Sequence, residues 1–162
     1  MIQEYRGCSM TGLPVTDSKN AMGQSIVFLD TQFCVGLEHR PGMLTQLCKL
    51  LRDEGVNIEA LFVSNDAEAA WVNFVGTPHD KVKEVLDAQA YRWFTESVLT
   101  IRADNRPGEI ESIAARLADA CVNINYIYGS GAPGYPSKIV LGADDLDAAA
   151  RALEGLDLSS AS

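Results

Sequence analysis

The sequence predicts an α+β protein made of two similar units, each an antiparallel sheet with helices on one face. The triplet Arg-Pro-Gly occurs twice, beginning at Arg40 and at Arg106. Each copy follows an alternating apolar run, precedes an amphipathic run and is followed at the same distance by Val-Asn-Ile, which begins at Val56 and at Val122. Self-similarity at a fixed period indicates a repeated structural unit. A strand, a tight turn, a helix and a second strand are therefore predicted twice.

In the first unit, residues 31–37 alternate polar and apolar side chains, with Phe33, Val35 and Leu37 on one face of a half-buried strand. Pro41 fixes φ and lacks an N–H, which suits the start of a helix, and Gly55 ends that helix. The apolar face of the helix is predicted to contain Leu44, Leu47, Cys48 and Leu51. The remaining predicted elements are strands at 56–63 and 70–75, a break at 76–78, a helix at 80–90 with Val82, Val85 and Leu86 inward, and a strand at 91–94.

The second unit repeats this order. Its predicted elements are a strand at 97–103, a helix with Ile110, Ile113, Ala114 and Leu117 on its apolar face, strands at 122–128 and 138–141, and a helix at 144–153. Gly142 matches Gly76 at the same offset that separates the two Arg-Pro-Gly triplets. The fourth strand has two candidates, residues 156–158 and the short run from Ser25 to Leu29, which by itself resembles an edge strand with no obvious partner.

The resulting order, β-α-β-β-α-β twice, is the ferredoxin-like arrangement of an antiparallel sheet with two helices on one face. We predict a loosely ordered N-terminal arm at 1–24, a first domain at 25–94 and a second domain at 95–162. Residues 1–24 contain several glycines and a proline and follow no period, which is typical of such an arm.

Composition excludes several classes of protein. The 162 residues are 47% hydrophobic and 22% charged, as in ordinary globular proteins. A formal net charge of −9 argues against a nucleic-acid partner or an anionic membrane surface, both of which need clustered cations. The sequence contains no apolar run long enough for a membrane-spanning helix, and its N-terminus lacks the pattern of a signal peptide. A cytoplasmic location is predicted by elimination.

The cysteines and histidines do not indicate a metal or catalytic site. Four cysteines are scattered along the chain without a Cys-x-x-Cys pair, and we expect them to stay reduced. The two histidines, His39 and His79, are isolated in sequence. Neither a nucleophile beside a base nor a phosphate loop with its lysine is present. We therefore predict no enzyme, no cofactor and no metal.

The two Arg-Pro-Gly turns resemble those of the ACT domain family. The matching segments are 37–61, LEHRPGMLTQLCKLLRDEGVNIEAL, and 101–127, IRADNRPGEIESIAARLADACVNINYI. The resemblance extends over residues 31–158 and is strongest to free-standing tandem ACT proteins, which carry no catalytic domain. It implies a ferredoxin-like fold and a regulatory role in amino-acid metabolism.

The resemblance also implies where a ligand binds. In the family, the effector lies at the turn between the first strand and the first helix, at an interface with another ACT unit. The corresponding positions are Asn105, Gly108 and Asn123 in the second unit, and His39, Gly42 and Asn57 in the first. His39 departs from the amide of the serine-binding motif. The histidine that some serine-binding versions add is replaced here by Leu37 or Ala103, so the resemblance does not favour serine.

The residue types at these turns suit an amino-acid ligand. The N–H groups of Gly108 and Glu109, after Pro107, lie at a predicted helix start, which is a ready carboxylate site, as are those of Gly42 and Met43. Asparagine both donates and accepts hydrogen bonds, although Asn105 alternatively serves only as a helix cap. Arg106 and Arg40 are candidate carboxylate partners or solvent-exposed turn residues.

Two further features have more than one interpretation. Residues 129–136, GSGAPGYP, form either a lid over a ligand or a flexible connector. Tyr126 and Tyr128 are predicted to pack on a sheet face, with the lining of a pocket as the alternative.

Two functions fit the whole chain. The first is an amino-acid-binding regulatory module that signals by association, with a homodimer through sheet edges or helices, or a metabolic enzyme, as partner. The second is an interaction module without a ligand.

Overall fold

The computed structural model describes residues 18–19, 25–65, 70–103, 105–132 and 135–154. These residues form one antiparallel sheet and four helices. The strands are β1 (Ser18–Lys19), β2 (Ser25–Leu37), β3 (Asn57–Asn65), β4 (Ala70–Thr77), β5 (Arg92–Ala103), β6 (Ile124–Ser130) and β7 (Ser137–Ala143). The helices are α1 (Met43–Asp53), α2 (His79–Ala88), α3 (Glu109–Asp119) and α4 (Leu146–Leu153). The described strands follow the order β3-β4-β2-β5-β7-β6, and β1 pairs with β2. The α+β class and the antiparallel sheet are confirmed.

Two long strands, β2 and β5, form the centre of the sheet. The second half of β2 pairs with β4, and β2 pairs with β5 over nearly its whole length. The run from Ser25 to Leu29 is therefore the start of β2, with Val27 opposite Ile101. Its assignment as an edge strand without an obvious partner was wrong, since β5 and β1 both pair with it. The other candidate for the fourth strand, residues 156–158, lies outside the described residues, as do residues 1–17 and 20–24.

The predicted domain boundary, between residues 94 and 95, falls within the continuous strand β5. The two short strands predicted at 91–94 and 97–103 are one strand. Each central strand consequently contributes to both halves of the molecule. Val27 of β2 packs with α3 and α4, whereas Trp93 of β5 packs with α1 and α2.

All four described helices pack on one face of the sheet. Phe33, Val35 and Leu37 are buried on this face, as their spacing predicted. They form one core cluster with Leu47 and Leu51 of α1. A second cluster contains the inward residues of α3 and α4 together with Leu99 and Ile101. Two helix-covered cores therefore share one sheet, because side chains of a strand alternate between its faces.

The opposite, helix-free face of the sheet is closed by contacts between its own outer strands. The outer strands β3 and β6 approach each other across it, so that the Phe62 ring lies 5.6 Å from Tyr126 and 4.7 Å from Tyr128 between centroids. Beneath these rings Ala60, Val75, Val98 and Val140 form a third cluster. The two tyrosines pack on a sheet face, as predicted.

The sequence spacing between equivalent residues of the two halves grows by one residue between the second and the third strand of each half. Ile58 and Ile124 are equivalent positions of the repeat, but Ile58 lies opposite Gly76 whereas Ile124 lies opposite Ala143. The match between Gly76 and Gly142 was therefore wrong, because the longer connection after β6 moves β7 by one position. Gly76 and Thr77 also belong to β4, so the predicted break at 76–78 begins too early.

Helix boundaries differ slightly from the prediction. Helix α2 ends at Ala88 and α4 begins at Leu146, after Asp145 caps it by accepting a hydrogen bond from the Ala148 N–H at 2.8 Å. Two residues predicted on inner faces are exposed, namely Leu44 (37%) and Ile110 (49%). Both occupy the first turn of their helix, beside the Arg-Pro-Gly turn.

Candidate functional site

A cavity of about 390 Å³ opens at the second Arg-Pro-Gly turn. It lies between the start of α3 and the connection from β6 to β7, beside the last residues of β6 and the first residues of β7. The lining residues are Asn105, Arg106, Glu109, Ile110, Ile127, Tyr128, Gly129, Ser130, Gly131, Ser137 and Ile139. Three of the residues predicted for a ligand site, Asn105, Arg106 and Glu109, therefore meet in one cavity. Pro107 and Gly108 belong to the turn between them.

The turn before α3 has a glycine at the N-cap position. Gly108 occupies the N-cap position with φ of 94°, a left-handed conformation that glycine adopts without the Cβ penalty of other residues. Gly108, rather than Asn105, occupies the N-cap position, so the interpretation of Asn105 as the helix cap was wrong. The N–H of Glu109 donates to the Arg106 carbonyl oxygen at 3.4 Å, and the N–H of Ser112 donates to that of Gly108 at 2.9 Å. The turn therefore brings Arg106 and Glu109 together beside the cavity.

Two opposite charges meet in the cavity. Arg106 Nη2 lies 3.4 Å from Glu109 Oε1, with side-chain exposures of 33% for the arginine and 9% for the glutamate. This distance is longer than the approximately 2.7–2.9 Å of a tight charge-assisted hydrogen bond. A largely buried carboxylate and a guanidinium are thus close to each other, in a loose geometry.

One wall of the cavity is polar and narrow. A Cβ built on Gly131 would lie 2.6 Å from Ser137 Oγ and 3.1 Å from Asn105 Oδ1. The side chains of Asn105 and Ser137 therefore converge on the Gly131 backbone, which only glycine allows. This places part of the glycine-rich connection, Gly129–Gly131, against the cavity. Residues 133 and 134 lie outside the described residues, and the lid role of the connection stays a prediction.

The other wall is aliphatic. Ile139 of β7 belongs to the second core cluster, and Ile127 of the neighbouring β6 packs against that cluster. Ile110 comes from the first turn of α3. Ile110 is 49% exposed because it lines the cavity rather than the core. Sequence reasoning missed Ile127 and Ile139, since alternating isoleucines in a strand predict core packing equally well.

Several solved structures have a fold similar to that of this chain. A protein from Bacteroides thetaiotaomicron matches with a TM-score of 0.72 at 23% identity, over 80% of this chain and 89% of the other. The ligand-free regulatory subunit of aspartate kinase from Thermus thermophilus matches with a TM-score of 0.57 at 16% identity, over 78% and 93%. Aspartokinase alpha and beta subunits match with a TM-score of 0.55 at 14% identity, over 78% and 93%.

The fold is of the ACT type. At these identities the likeness concerns the fold alone. No protein-family model matches the sequence, and no curated protein is similar to it.

The first turn of the ACT-type fold is built differently. Gly42 has the same left-handed φ, 92°, at the N-cap of α1. Met43, however, occupies the position of Glu109, so the charged pair is absent from this turn. Arg40 Nε donates instead to Glu38 Oε2 at 2.5 Å, on the surface, with 56% and 71% of the two side chains exposed. His39 is also exposed.

The two asparagines of the Val-Asn-Ile segments do not line the cavity. Asn123 precedes β6, and its backbone N–H and Nδ2 donate to the Asp144 carboxylate at 3.1 and 3.0 Å. These two hydrogen bonds connect the start of β6 to the segment between β7 and α4. Asn57 begins β3 opposite Thr77 and is exposed. Their ligand-binding roles stay predictions.

A second polar group lies on the closed, helix-free face. Gln32 is fully buried, and its Nε2 donates to Tyr126 Oη at 2.9 Å and to Glu96 at 3.2 Å. Tyr128 Oη donates to Gln32 Oε1 at 2.9 Å, and Tyr126 Oη donates to Glu96 at 2.7 Å. Burial, followed by the hydrogen bond to Glu96, raises the pKa of Tyr126. This hydrogen-bonded group, the Gln32 network, joins β2, β5 and β6. Sequence reasoning did not predict it.

Other titratable groups near this face have identifiable partners. Burial alone would raise the pKa of Glu59, but hydrogen bonds from Lys138 Nζ and Thr77 Oγ1 outweigh burial and leave the pKa below its usual value. Burial raises the pKa of the Cys34 thiol to about 11, so the thiol stays protonated at neutral pH.

Within the described residues, Cys34, Cys48 and Cys121 are free thiols, and no group of three acidic, histidine or cysteine side chains could hold a metal ion. No helix in the described part of the chain is long and apolar enough to span a membrane.

Proposed function

We propose that this chain is a regulatory module of two tandem ACT domains that binds an amino acid or a similar small ligand and has no catalytic activity. Ligand binding at the second turn would be linked to association, with a second copy of the chain or with a metabolic enzyme. The ACT-type fold supports the proposal, since two of the similar structures are described as a regulatory subunit of aspartate kinase and as aspartokinase subunits.

The observation that carries the proposal is the cavity at the second turn. It combines a cation, an anion, an amide and an aliphatic wall within about 390 Å³, near the lower end of the range of small-molecule sites. Few convergent polar groups beside an apolar wall are typical of ligand sites. The first turn, where Met43 replaces the glutamate and Arg40 bonds to Glu38 on the surface, is the weaker candidate.

Thermal unfolding in the presence of each of the twenty amino acids tests this function. A ligand that binds only the folded chain stabilises it by about 2.7 kcal/mol at a hundredfold excess over Kd. We expect one amino acid or one small group of them to raise Tm, because the cavity presents Arg106, Glu109 and the Asn105 amide beside an aliphatic wall.

Two matched arginine variants locate the site. Arg106→Ala should abolish or strongly reduce the ligand-induced shift, whereas Arg40→Ala, at the equivalent position of the first turn, should leave it intact. Equal loss in both variants, or in neither, would contradict the assignment to the second turn. A panel without any responding amino acid would overturn the proposed function and favour an interaction module. Sedimentation with and without the responding amino acid then measures whether association is linked to binding.

A further inference from the structure

We propose that the first half of β5 pairs antiparallel with the same strand of a second copy of this chain. In this two-fold interface, Phe94 lies opposite Phe94 of the second copy, and Arg92 lies opposite Glu96 in both directions. The pairing names a surface for the association in the proposed function, but it needs no ligand and does not depend on the cavity. Three features lead to it: an open sheet edge, an exposed aromatic ring and a self-complementary charge pattern.

The first half of β5 has a strand neighbour on one side only. Residues 92–98 pair with β2. On the other side of β5, strand β7 pairs with residues 99–103 and ends there. Among the described strands, none occupies the remaining side of residues 92–98. Unpaired backbone N–H and C=O groups at such an edge are a template for a further strand.

The equivalent edge of β2 already carries an added strand. Strand β1 pairs with β2 at Val27, on the side of β2 that β5 leaves open. In the repeat, Val27 is equivalent to Trp93 of β5. The fold therefore accommodates an extended segment at this place in one half. The described outer strands β3 and β6 also have an open side, but they approach each other across the helix-free face.

An aromatic and cationic group lies on the open edge of β5. Phe94 is 46% exposed, although it is a large apolar side chain. Its ring lies 5.4 Å from the Trp71 ring between centroids, and the Arg92 guanidinium lies 5.3 Å from the Trp71 centroid. Aromatic residues and arginine are enriched at the centres of protein interfaces. This composition favours a protein partner at the edge.

The charges of the edge fit one antiparallel register. Arg92, Phe94 and Glu96 alternate along β5 and share the helix-free face. A two-fold axis normal to the sheet keeps paired residues on one face, so it passes through a residue that lies opposite itself. With the axis at Phe94, both cross-strand charge pairs are opposite in sign and the aromatic rings meet, which stabilises a strand pair.

The neighbouring registers lack this complementarity. An axis at Arg92 or at Glu96 places two like charges directly opposite each other, which is destabilising. An axis at Trp93 or at Thr95 places a charged side chain opposite the Phe94 ring. The sequence of the edge therefore specifies a second copy as partner, and it specifies the register as well.

Both charged side chains are held in position within one chain. Glu96 Oε2 accepts hydrogen bonds from Gln32 Nε2 at 3.2 Å and from Tyr126 Oη at 2.7 Å, while Arg92 stacks on Trp71. Glu96 and Arg92 are nevertheless exposed. Side chains that are ordered before association lose less conformational entropy when the interface forms.

Sedimentation of the full chain without ligand, over a micromolar to millimolar concentration series, tests the interface. We expect the unchanged chain to form a dimer. Arg92→Glu should raise the dimer Kd roughly tenfold or more, because both charge pairs become repulsive. Arg102→Glu is the matched control, since it makes the same charge change on the same strand and face, and Arg102 also lies over an aromatic ring, that of Phe28. Arg102 lies in the half of β5 that β7 pairs, so the control should leave the dimer intact.

A mixture of two variants tests the register. Arg92→Glu and Glu96→Arg should each associate weakly alone, because positions 92 and 96 then carry like charges. Mixed in equal amounts, they should form a heterodimer, because each position 92 again meets an opposite charge at position 96. Circular dichroism of each variant shows that it is folded. Folded variants that do not associate in the mixture would overturn the register.

A further pair of variants leaves the Gln32 network untouched, and it decides the proposal even if Glu96→Arg does not fold. Phe94→Ser should weaken the dimer, whereas Leu29→Ser, at an equally exposed apolar residue of β2, should not. A monomer at every concentration, or equal effects of the members of either matched pair, would overturn the interface. Such a result would leave the ligand-binding proposal standing, because the thermal panel tests that proposal separately.

Discussion

At the scale of single residues, position 142 requires a glycine because the Tyr126 ring lies over it. Tyr126 lies directly opposite Gly142 in the register of β6 and β7, and a Cβ on Gly142 would lie 2.7 Å from Tyr126 Cε1. The same ring holds the hydroxyl that bonds to Gln32 and Glu96. The position of one glycine therefore determines whether the Gln32 network can form.

We expect Gly142→Ala to destabilise the protein by about 1–3 kcal/mol, as overpacking in a dense interior does, because the ring must move away from its hydrogen-bond partners. Gly36→Ala is the matched control. There the added Cβ would lie 3.4 Å from the ring of Trp71, an ordinary contact, and stability should change little. Urea unfolding of both variants measures the difference. A Gly142→Ala protein as stable as Gly36→Ala would contradict the close approach of Tyr126.

At the scale of elements, α1 and α3 end with the same backbone geometry but with different residues at the equivalent position. Gly55 and Cys121 both have positive φ, 76° and 56°. The following N–H bonds back in the same way, from Val56 to Leu51 and from Val122 to Leu117, each at 2.9 Å. The left-handed conformation costs little for glycine and roughly 1–2 kcal/mol for a residue with a Cβ. The second half therefore contains a helix end that is strained relative to the first.

Exchanging these residues tests that strain. Cys121→Gly should stabilise the protein by about 1 kcal/mol, and Gly55→Ala should destabilise it by a similar amount, because only glycine adopts positive φ freely. Guanidinium unfolding of the two variants, compared with the unchanged chain, gives both values. Destabilisation by Cys121→Gly would show that the cysteine side chain contributes packing that outweighs its backbone strain.

At the scale of the whole molecule, the two halves are joined by shared strands. Strands β2 and β5 each supply residues to both helix-covered cores, and the Gln32 network and the pair of Glu59 with Lys138 connect the halves across the other face. Loss of one core therefore removes strand partners from the other. We expect the described chain to unfold as one cooperative unit.

Fluorescence tests this cooperativity, since both tryptophans, Trp71 and Trp93, lie in the first half. Leu51 and Leu117 occupy equivalent, fully buried positions in α1 and α3. Leu51→Ala and Leu117→Ala should each lower stability by about 2–5 kcal/mol. Both should shift the tryptophan transition alike, although Leu117 is in the other half. A tryptophan transition that Leu117→Ala leaves in place would instead mean independent halves.

The sequence alone was sufficient for the local elements. Alternation predicted Phe33, Val35 and Leu37 on one face, and the helical period predicted Leu47, Leu51, Ile113 and Leu117 in the core, because burial repeats with the geometry of the backbone. The paired Arg-Pro-Gly turns also indicated where a cavity would lie, through Asn105, Arg106 and Glu109. These features depend on neighbours within a few residues of one another.

Only the tertiary structure decided what depends on distant neighbours. It joined residues 92–103 into one strand, placed Val27 in the second core, and moved β7 by one position relative to the repeat. It also brought Ile127, Ile139 and Gly131 to the cavity and closed the sheet around Gln32. A strand's periodicity says which residues share a face, but its partners and register are fixed by the packing of the whole sheet.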